Sequence, residues 1–279
     1  MKKSIFIFLF VLVFFFGCGI QSKKEAVYPK YHYVSIYKTS NLKNEERIEY
    51  LVWGTKLEVE EVVSITNILE EGKKTNIVNS FKVFNTVSKT RGYVPEADVI
   101  RNPLMKGVII ENTTASETPN MGSFSKKSLK PFIPVYVLAI SDDKELYNII
   151  GYINKNFVLP EEEETITPIW KPLWVYKKDI STNKNDVELI VIQQLSVKRY
   201  KEALAAYQKE PDKKAKELTN VVQRESDEMR IALDKFKEAS PTVASYIMDY
   251  KNKLDSFLSG NTSESETPEE EYTEEGEAE

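Results

Sequence analysis

The chain has 279 residues, with 38 basic against 43 acidic side chains and an ordinary apolar and aromatic content, so it has material for one large domain or two to three small ones. Nine Glu fall in residues 261–279; without them the net charge of −5 becomes +4, and without Lys2 and Lys3 as well it is +2, so the body is close to neutral and its charge gives no sign of nucleic-acid binding. Cys18 is the only cysteine and His32 the only histidine, which excludes an intramolecular disulfide, cysteine-rich metal sites and most His-based zinc sites, and no metal or cofactor is expected.

Lys2 and Lys3 precede an uninterrupted apolar run over residues 5–16, followed by Gly17 and Cys18. A spanning helix needs about 20 apolar residues. This run is shorter and has the proportions of a removable signal peptide over residues 1–17. Phe15-Phe16-Gly17-Cys18 resembles the bacterial lipobox, with Phe at positions where that box carries Leu and a small residue. The resemblance implies lipidation at Cys18, membrane attachment through acyl chains and a place in the bacterial cell envelope. Residues 18–30 are short and polar, carry Pro29, and read as a tether. His32, next to it, is expected to face solvent.

From residue 31 to about 159 apolar residues alternate, as in Leu57 and Val59 between Lys56, Glu58 and Glu60, which argues for short β-strands. Two stretches look alike: Gly92-Tyr93-Val94-Pro95-Glu96-Ala97-Asp98-Val99-Ile100 and Gly151-Tyr152-Ile153-Asn154-Lys155-Asn156-Phe157-Val158-Leu159. Each follows strand-like runs, so an internal repeat is expected. Gly92 and Gly151 are expected to let the chain turn sharply between hairpin strands.

With Trp53-Gly54-Thr55-Lys56-Leu57-Glu58-Val59, these residues resemble tandem bacterial SH3-like (SH3b) domains. That family has Gly-Trp-Val where this chain has Gly92-Tyr93-Val94 and Gly151-Tyr152-Ile153. Its Asn-Val-Arg element is missing, and Leu129-Lys130-Pro131 stands where the second copy would have Gly-Thr. The resemblance implies two small barrels, over residues 31–102 and 103–160. Tyr93 and Tyr152 are candidate aromatics for ligand contact, with core packing the favoured role.

Residues 161–182 read as a linker. Glu161 to Glu164 form an acidic run, and Trp170, Pro172 and Trp174 fall on one face of an extended segment. A connector docked on a domain is the favoured reading. An exposed aromatic platform built on Trp170 and Trp174 is the sharper one.

Residues 183–259 change to helical spacing. Leu189, Ile192, Leu195, Tyr200, Leu204 and Tyr207 make one stripe, Glu210-Pro211 a break, and Leu218, Val222, Met229, Leu233 and Phe236 a second stripe. Ser240-Pro241 is an N-cap and N1 pair before Val243, Tyr246, Ile247, Tyr250, Leu254 and Phe257. The expectation is a helical hairpin or three-helix bundle, ended by Gly260. Residues 260–279 are too Glu-rich for a core and are expected to be disordered.

The expected fold class is therefore α+β: two small SH3-like β-barrels followed by a helical hairpin or three-helix bundle. There is no Gly-rich phosphate loop, Gly-x-Ser-x-Gly elbow or His-Glu-x-x-His, and no carboxylate pair that sequence context marks as buried. The expected function is a non-catalytic binding or scaffolding lipoprotein. Its partners would be the membrane, through the N-terminal lipid, and envelope glycan, peptide or protein. A surface-exposed lipoprotein that binds host or extracellular proteins is the alternative, and an envelope enzyme the third reading.

Overall fold

The structure is a computed structural model and describes residues 25–68, 75–120, 128–164 and 169–262. The leader, Cys18 and residues 263–279 of the tail lie outside the described residues. The chain divides into two compact units, Met1–Asn102 and Pro103–Glu279. The architecture is α+β, with curled antiparallel sheet and three helices at the C-terminal end.

The first unit has strands β1 (Ala26–Pro29), β2 (Val34–Tyr37), β3 (Arg47–Leu51), β4 (Leu57–Ile68), β5 (Thr75–Asn85), β6 (Arg91–Pro95) and β7 (Val99–Arg101). They form one sheet in the order β3-β2-β6-β5-β4-β1-β7. Its core gathers Val27, Val34, Ile36, Leu51, Leu57, Phe81, Val83, Val94 and Val99. Each such side chain contributes about 1.5–3 kcal/mol when fully buried.

The tether expected over residues 18–30 is corrected by β1. Ala26 to Pro29 lie between β4 and β7, with Val27 paired to Leu57 on one side and Arg101 on the other. Alternating small and β-prone side chains let this short segment fill an interior ladder position, and Pro29, which has no N–H to donate, sits at its end. His32 is likewise buried, its Nδ1 accepting from the Trp53 backbone N–H at 3.3 Å, which corrects the solvent-facing expectation.

The second unit has β8 (Met105–Ile109), β9 (Thr113–Thr114), β10 (Ser128–Leu129), β11 (Pro134–Ile140), β12 (Leu146–Gly151), β13 (Ile169–Tyr176) and β14 (Ile180–Ser181). The main sheet runs β13-β12-β11-β8-β14, and β9 pairs with β10. This repeats the order β6-β5-β4-β1-β7 strand for strand.

The registers agree with that correspondence. Val27 faces Leu57 as Gly107 faces Val135, and Pro29 faces Val99 as Ile109 faces Ile180. The Lys30 and Ile110 N–H groups donate to the carbonyls of Asp98 and Asp179, each at 2.9 Å. A single 3₁₀ turn precedes the last strand in both units, Glu96–Asp98 and Lys177–Asp179.

Three expectations are corrected here. The counterpart of Gly92-Tyr93-Val94 is Leu173-Trp174-Val175 in β13, whereas Gly151 ends β12 and matches Asn85. The linker expected over 161–182 supplies β13 and β14, so the second sheet extends past residue 160. Gly92 and Gly151 answer to close approach of neighbouring chain rather than to a sharp turn. A Cβ at Gly92 would lie 2.5 Å from the Tyr37 carbonyl oxygen, and one at Gly151 would lie 2.8 Å from that of Pro134.

Helices α1 (Lys184–Lys209), α2 (Pro211–Lys235) and α3 (Pro241–Thr262) follow the expected breaks, Pro211 and Pro241 each occupying a first turn where a missing N–H is harmless. Helix α3 continues through Gly260 to Thr262. The helices do not form a domain of their own. Val108 of β8 and Leu159 share one core with Leu189, Ile190, Val197, Val222, Ile247 and Tyr250.

Asp186 ties this assembly together. It is fully buried, and its carboxylate accepts from Ser181 Oγ at 2.5 Å and from the Ser240 N–H at 2.6 Å, joining β14, α1 and the start of α3. Asp186→Ala strands both donors and is expected to lower unfolding stability by about 2 kcal/mol in a denaturant melt. Asp186→Asn, which keeps one acceptor oxygen, should lose less.

Candidate functional site

The aromatic residues singled out by sequence do not form one site. Tyr93 lies in the first unit, half-buried on β6 opposite Tyr37 of β2. Trp174 is held in the second sheet by two backbone hydrogen bonds with Ser116, at 2.7 and 2.9 Å. Trp170 is 68% exposed, and its ring lies 4.4 Å from that of Tyr152 at 48°. Between Ile149–Leu173 and Gly151–Ile169 the ladder shifts, so Trp170, Lys171 and Pro172 bulge out of register. Tyr152 and Trp170 are thus brought together, and Trp174 lies in the paired part of the same strand.

A different set of residues lines a cavity of about 270 Å³ inside the second unit. Its walls come from the segment before β11 (Lys130 to Ile133), from Ile153, Phe157 and Val158 after β12, from Gln193 and Gln194 of α1, and from Tyr246 of α3. Lys201 of α1 holds the residue 155–163 segment in place by donating to the carbonyls of Lys155 at 3.0 Å and Val158 at 3.2 Å, and by pairing with Glu163.

One wall is an aromatic stack. The rings of Phe132 and Tyr246 lie 3.8 Å apart and within 11° of parallel. The Tyr246 hydroxyl is 3.2 Å from Glu162 Oε1 and 3.3 Å from Oε2, and the same carboxylate accepts from the Leu159 N–H at 3.3 Å. Burial, and after it the Glu162 charge, raise the Tyr246 hydroxyl far above the ordinary phenol range. Burial also raises the Glu162 carboxyl. The Tyr246 phenol therefore keeps its proton at neutral pH and is within hydrogen-bond distance of Glu162.

The backbone at Phe132 is unusual. By register, Phe132 occupies the position that Gly54 occupies in the first unit, three residues before the Leu57–Val135 pair of counterparts. Both residues have left-handed backbones, with φ of 83° at Gly54 and 63° at Phe132. Glycine takes that conformation freely, while a side chain there costs about 1–2 kcal/mol. Its amide donates to the Ile109 carbonyl at 2.6 Å, and its carbonyl accepts from Gln194 Nε2 at 3.4 Å, so the surroundings fix it there.

Sequence reasoning found none of these cavity residues as a site. Glu162 sits in the acidic run read as linker, and Tyr246 in a helix stripe. The only available signal was Phe132 at a glycine position, and it becomes visible only with the correct strand alignment. Chemically the cavity offers apolar surface, amide groups and a carboxylate engaged by a phenol. Among the described residues no group of three or more His, Cys, Asp or Glu side chains is placed to hold a metal ion, and no helix is long and apolar enough to cross a membrane.

No family model and no curated protein matches the chain. Among solved structures, NlpC2 from Trichomonas vaginalis is similar at a TM-score of 0.20 and 9% identity, over 63% of this chain and 57% of that one. A superposition that loose decides neither fold nor function.

Proposed function

We propose that this protein is a cell-envelope lipoprotein, anchored by acyl chains on Cys18, in which two SH3-like barrels and the helices form a non-catalytic binding or scaffolding module. The observation that carries the binding role is the cavity walled by Phe132 and Tyr246, in which a strained aromatic residue is held by its surroundings. Its polar groups suit recognition: two glutamine amides, and a carboxylate occupied by a tyrosine hydroxyl and a peptide N–H. The barrel reading is supported by the repeated strand order and by the 3₁₀ turn before each last strand. The envelope reading is supported by the leader and by Cys18 as the sole cysteine.

Cys18→Ala is expected to abolish incorporation of labelled palmitate and to release the protein from the membrane fraction, because several acyl chains are needed for a stable anchor and each buried CH₂ contributes about 0.8 kcal/mol. Undiminished labelling or unchanged membrane retention overturns the anchor. For the binding role, a photoreactive residue replacing the exposed Asn112 at the cavity rim should cross-link to an envelope component in intact cells. Absence of any such adduct argues against the cavity as the binding site.

A further inference from the structure

Three successive carboxylates in residues 160–163 reach the helices. Glu161 pairs with Lys253 of α3, Glu162 meets the Tyr246 hydroxyl of α3, and Glu163 pairs with Lys201 of α1. Pro160–Glu162 form a single 3₁₀ turn, and Leu159, 5% exposed within the helix core, anchors the chain just before it. Glu162 and Tyr246 both line the cavity, so their contact closes a seam in its wall between this turn and α3.

The three carboxylates are not equally at ease. Burial by itself would raise the Glu161 carboxyl, but the hydrogen bond from Lys253 and the charges of Lys253 and Lys201 outweigh it and hold it below the ordinary range. The hydrogen bond and charge of Lys201 do the same for Glu163. Burial raises Glu162, in spite of the hydrogen bonds from the Leu159 N–H and Tyr246. A carboxyl held low is better off as an anion in place than in water, and one held high is worse off. The two outer residues therefore grip, and the middle one is held down between them.

The grip is open to ions. Lys253 and Glu161 have side chains 57% and 54% exposed, and Lys201 and Glu163 18% and 32%. Pairs at such positions are weak and are screened by salt.

We infer that residues 160–163 are an ion-responsive latch on the cavity: the Glu161–Lys253 and Glu163–Lys201 pairs hold Glu162 against Tyr246, and when salt screens them Glu162 moves into water and the cavity opens between the turn and α3. The inference rests on the binding role proposed above and adds what controls entry.

The test follows amide exchange of the full mature chain by NMR at neutral pH, read at the Leu159 N–H, which donates to Glu162. The amide of Val83, a core residue of the first unit, serves as the reference. Raising salt from about 0.01 M to about 1 M shortens the screening length from about 30 Å to about 3 Å. Leu159 exchange should rise about threefold relative to the reference, the size expected when surface ion pairs are lost. Line broadening of the Phe132 ring by a neutral gadolinium chelate should rise with it. Lys253→Met, at an exposed position, should show the faster exchange already at low salt. Glu162→Gln keeps an acceptor oxygen but has no charge to hydrate, so it should exchange more slowly than the parent and lose the salt response. A glutamate that only stabilises the turn gives the opposite order.

Salt-independent Leu159 exchange in the parent overturns the latch, as does Glu162→Gln exchanging as fast as the parent or faster. Parent-like exchange in Lys253→Met overturns it too. A Leu159 response without a Phe132 response also does so, because the turn then moves while the cavity stays shut. Cross-linking from residue 112 separates this from the wider reading. An adduct with salt-independent Leu159 exchange keeps the cavity as a site and removes the latch; a responsive latch without an adduct keeps the latch and removes the binding role.

Discussion

Arg199→Ala is expected to lower stability by about 3 kcal/mol at neutral pH, and by much less in acid. Glu225 of α2 is fully buried among the helices and is held by Arg199, with Nε to Oε1 at 2.8 Å and Nη2 to Oε2 at 2.6 Å. Arg224 adds a contact at 2.7 Å, and Arg199 also pairs with Glu228. Burial by itself would raise the Glu225 carboxyl, but the hydrogen bonds from Arg199 and Arg224 outweigh it and hold it below the ordinary glutamate range. Removing one partner of a buried pair costs about 3–5 kcal/mol, and the lower end applies because Arg199 is 33% exposed.

The sign of the pH effect follows. A depressed carboxyl contributes stability that is present above its unfolded value, 4.5, and is lost as pH falls through the lower folded value. Burial and the Glu225 charge raise Glu228, whose effect runs the opposite way and partly offsets this in the parent protein. In Arg199→Ala, Glu225 keeps Arg224 but loses its bidentate partner, so its carboxyl should rise. Protonation below pH 4.5 then removes most of the penalty. Denaturant melts at neutral pH and in acid check this; a loss of equal size at both would refute the assignment.

Gly92→Ala should be strongly destabilising to the first unit. The added carbon would lie 2.4 Å from Ile36 Cγ2 and 2.5 Å from the Tyr37 carbonyl oxygen, both on β2. The isoleucine can rotate, but the carbonyl belongs to the ladder and cannot move without separating β2 from β6. Overpacking typically costs about 1–3 kcal/mol, and the backbone contact places this case near 3. Gly151→Ala meets its neighbours at 2.8 Å and should cost less. Hydrogen exchange should show β2 and β3 losing protection first in Gly92→Ala. Unchanged protection there would contradict the close-approach account.

The parts of the fold written locally were legible in the sequence. Pro211 and Ser240-Pro241 mark helix starts through chemistry confined to two residues, and the Leu218, Val222, Met229 stripe is the buried face of α2. The repeat was legible as a repeat but was placed in the wrong register. Gly151-Tyr152-Ile153 imitates Gly92-Tyr93-Val94 in residue type, whereas the true counterpart, Leu173-Trp174-Val175, carries no glycine. In the second unit the close approach falls one strand earlier, at Gly151 against Pro134, so the glycine moved while the fold position stayed. The cavity was not legible at all. Phe132, Glu162, Gln193 and Tyr246 are brought together by tertiary packing, and a positive φ leaves no pattern in composition or periodicity.

The shared core of the second unit bears on how such a chain can be rearranged. The first sheet gathers its apolar residues among its own strands, from Val27 to Val99, and is suited to being moved as a cassette. The second sheet is not portable in that sense. Cut free of the helices, Val108 and Leu159 would meet water in place of Leu189 and Ile247, and the space that holds Phe132 would lose its far wall at Tyr246. Any recombination that preserves this half must inherit sheet and helices together.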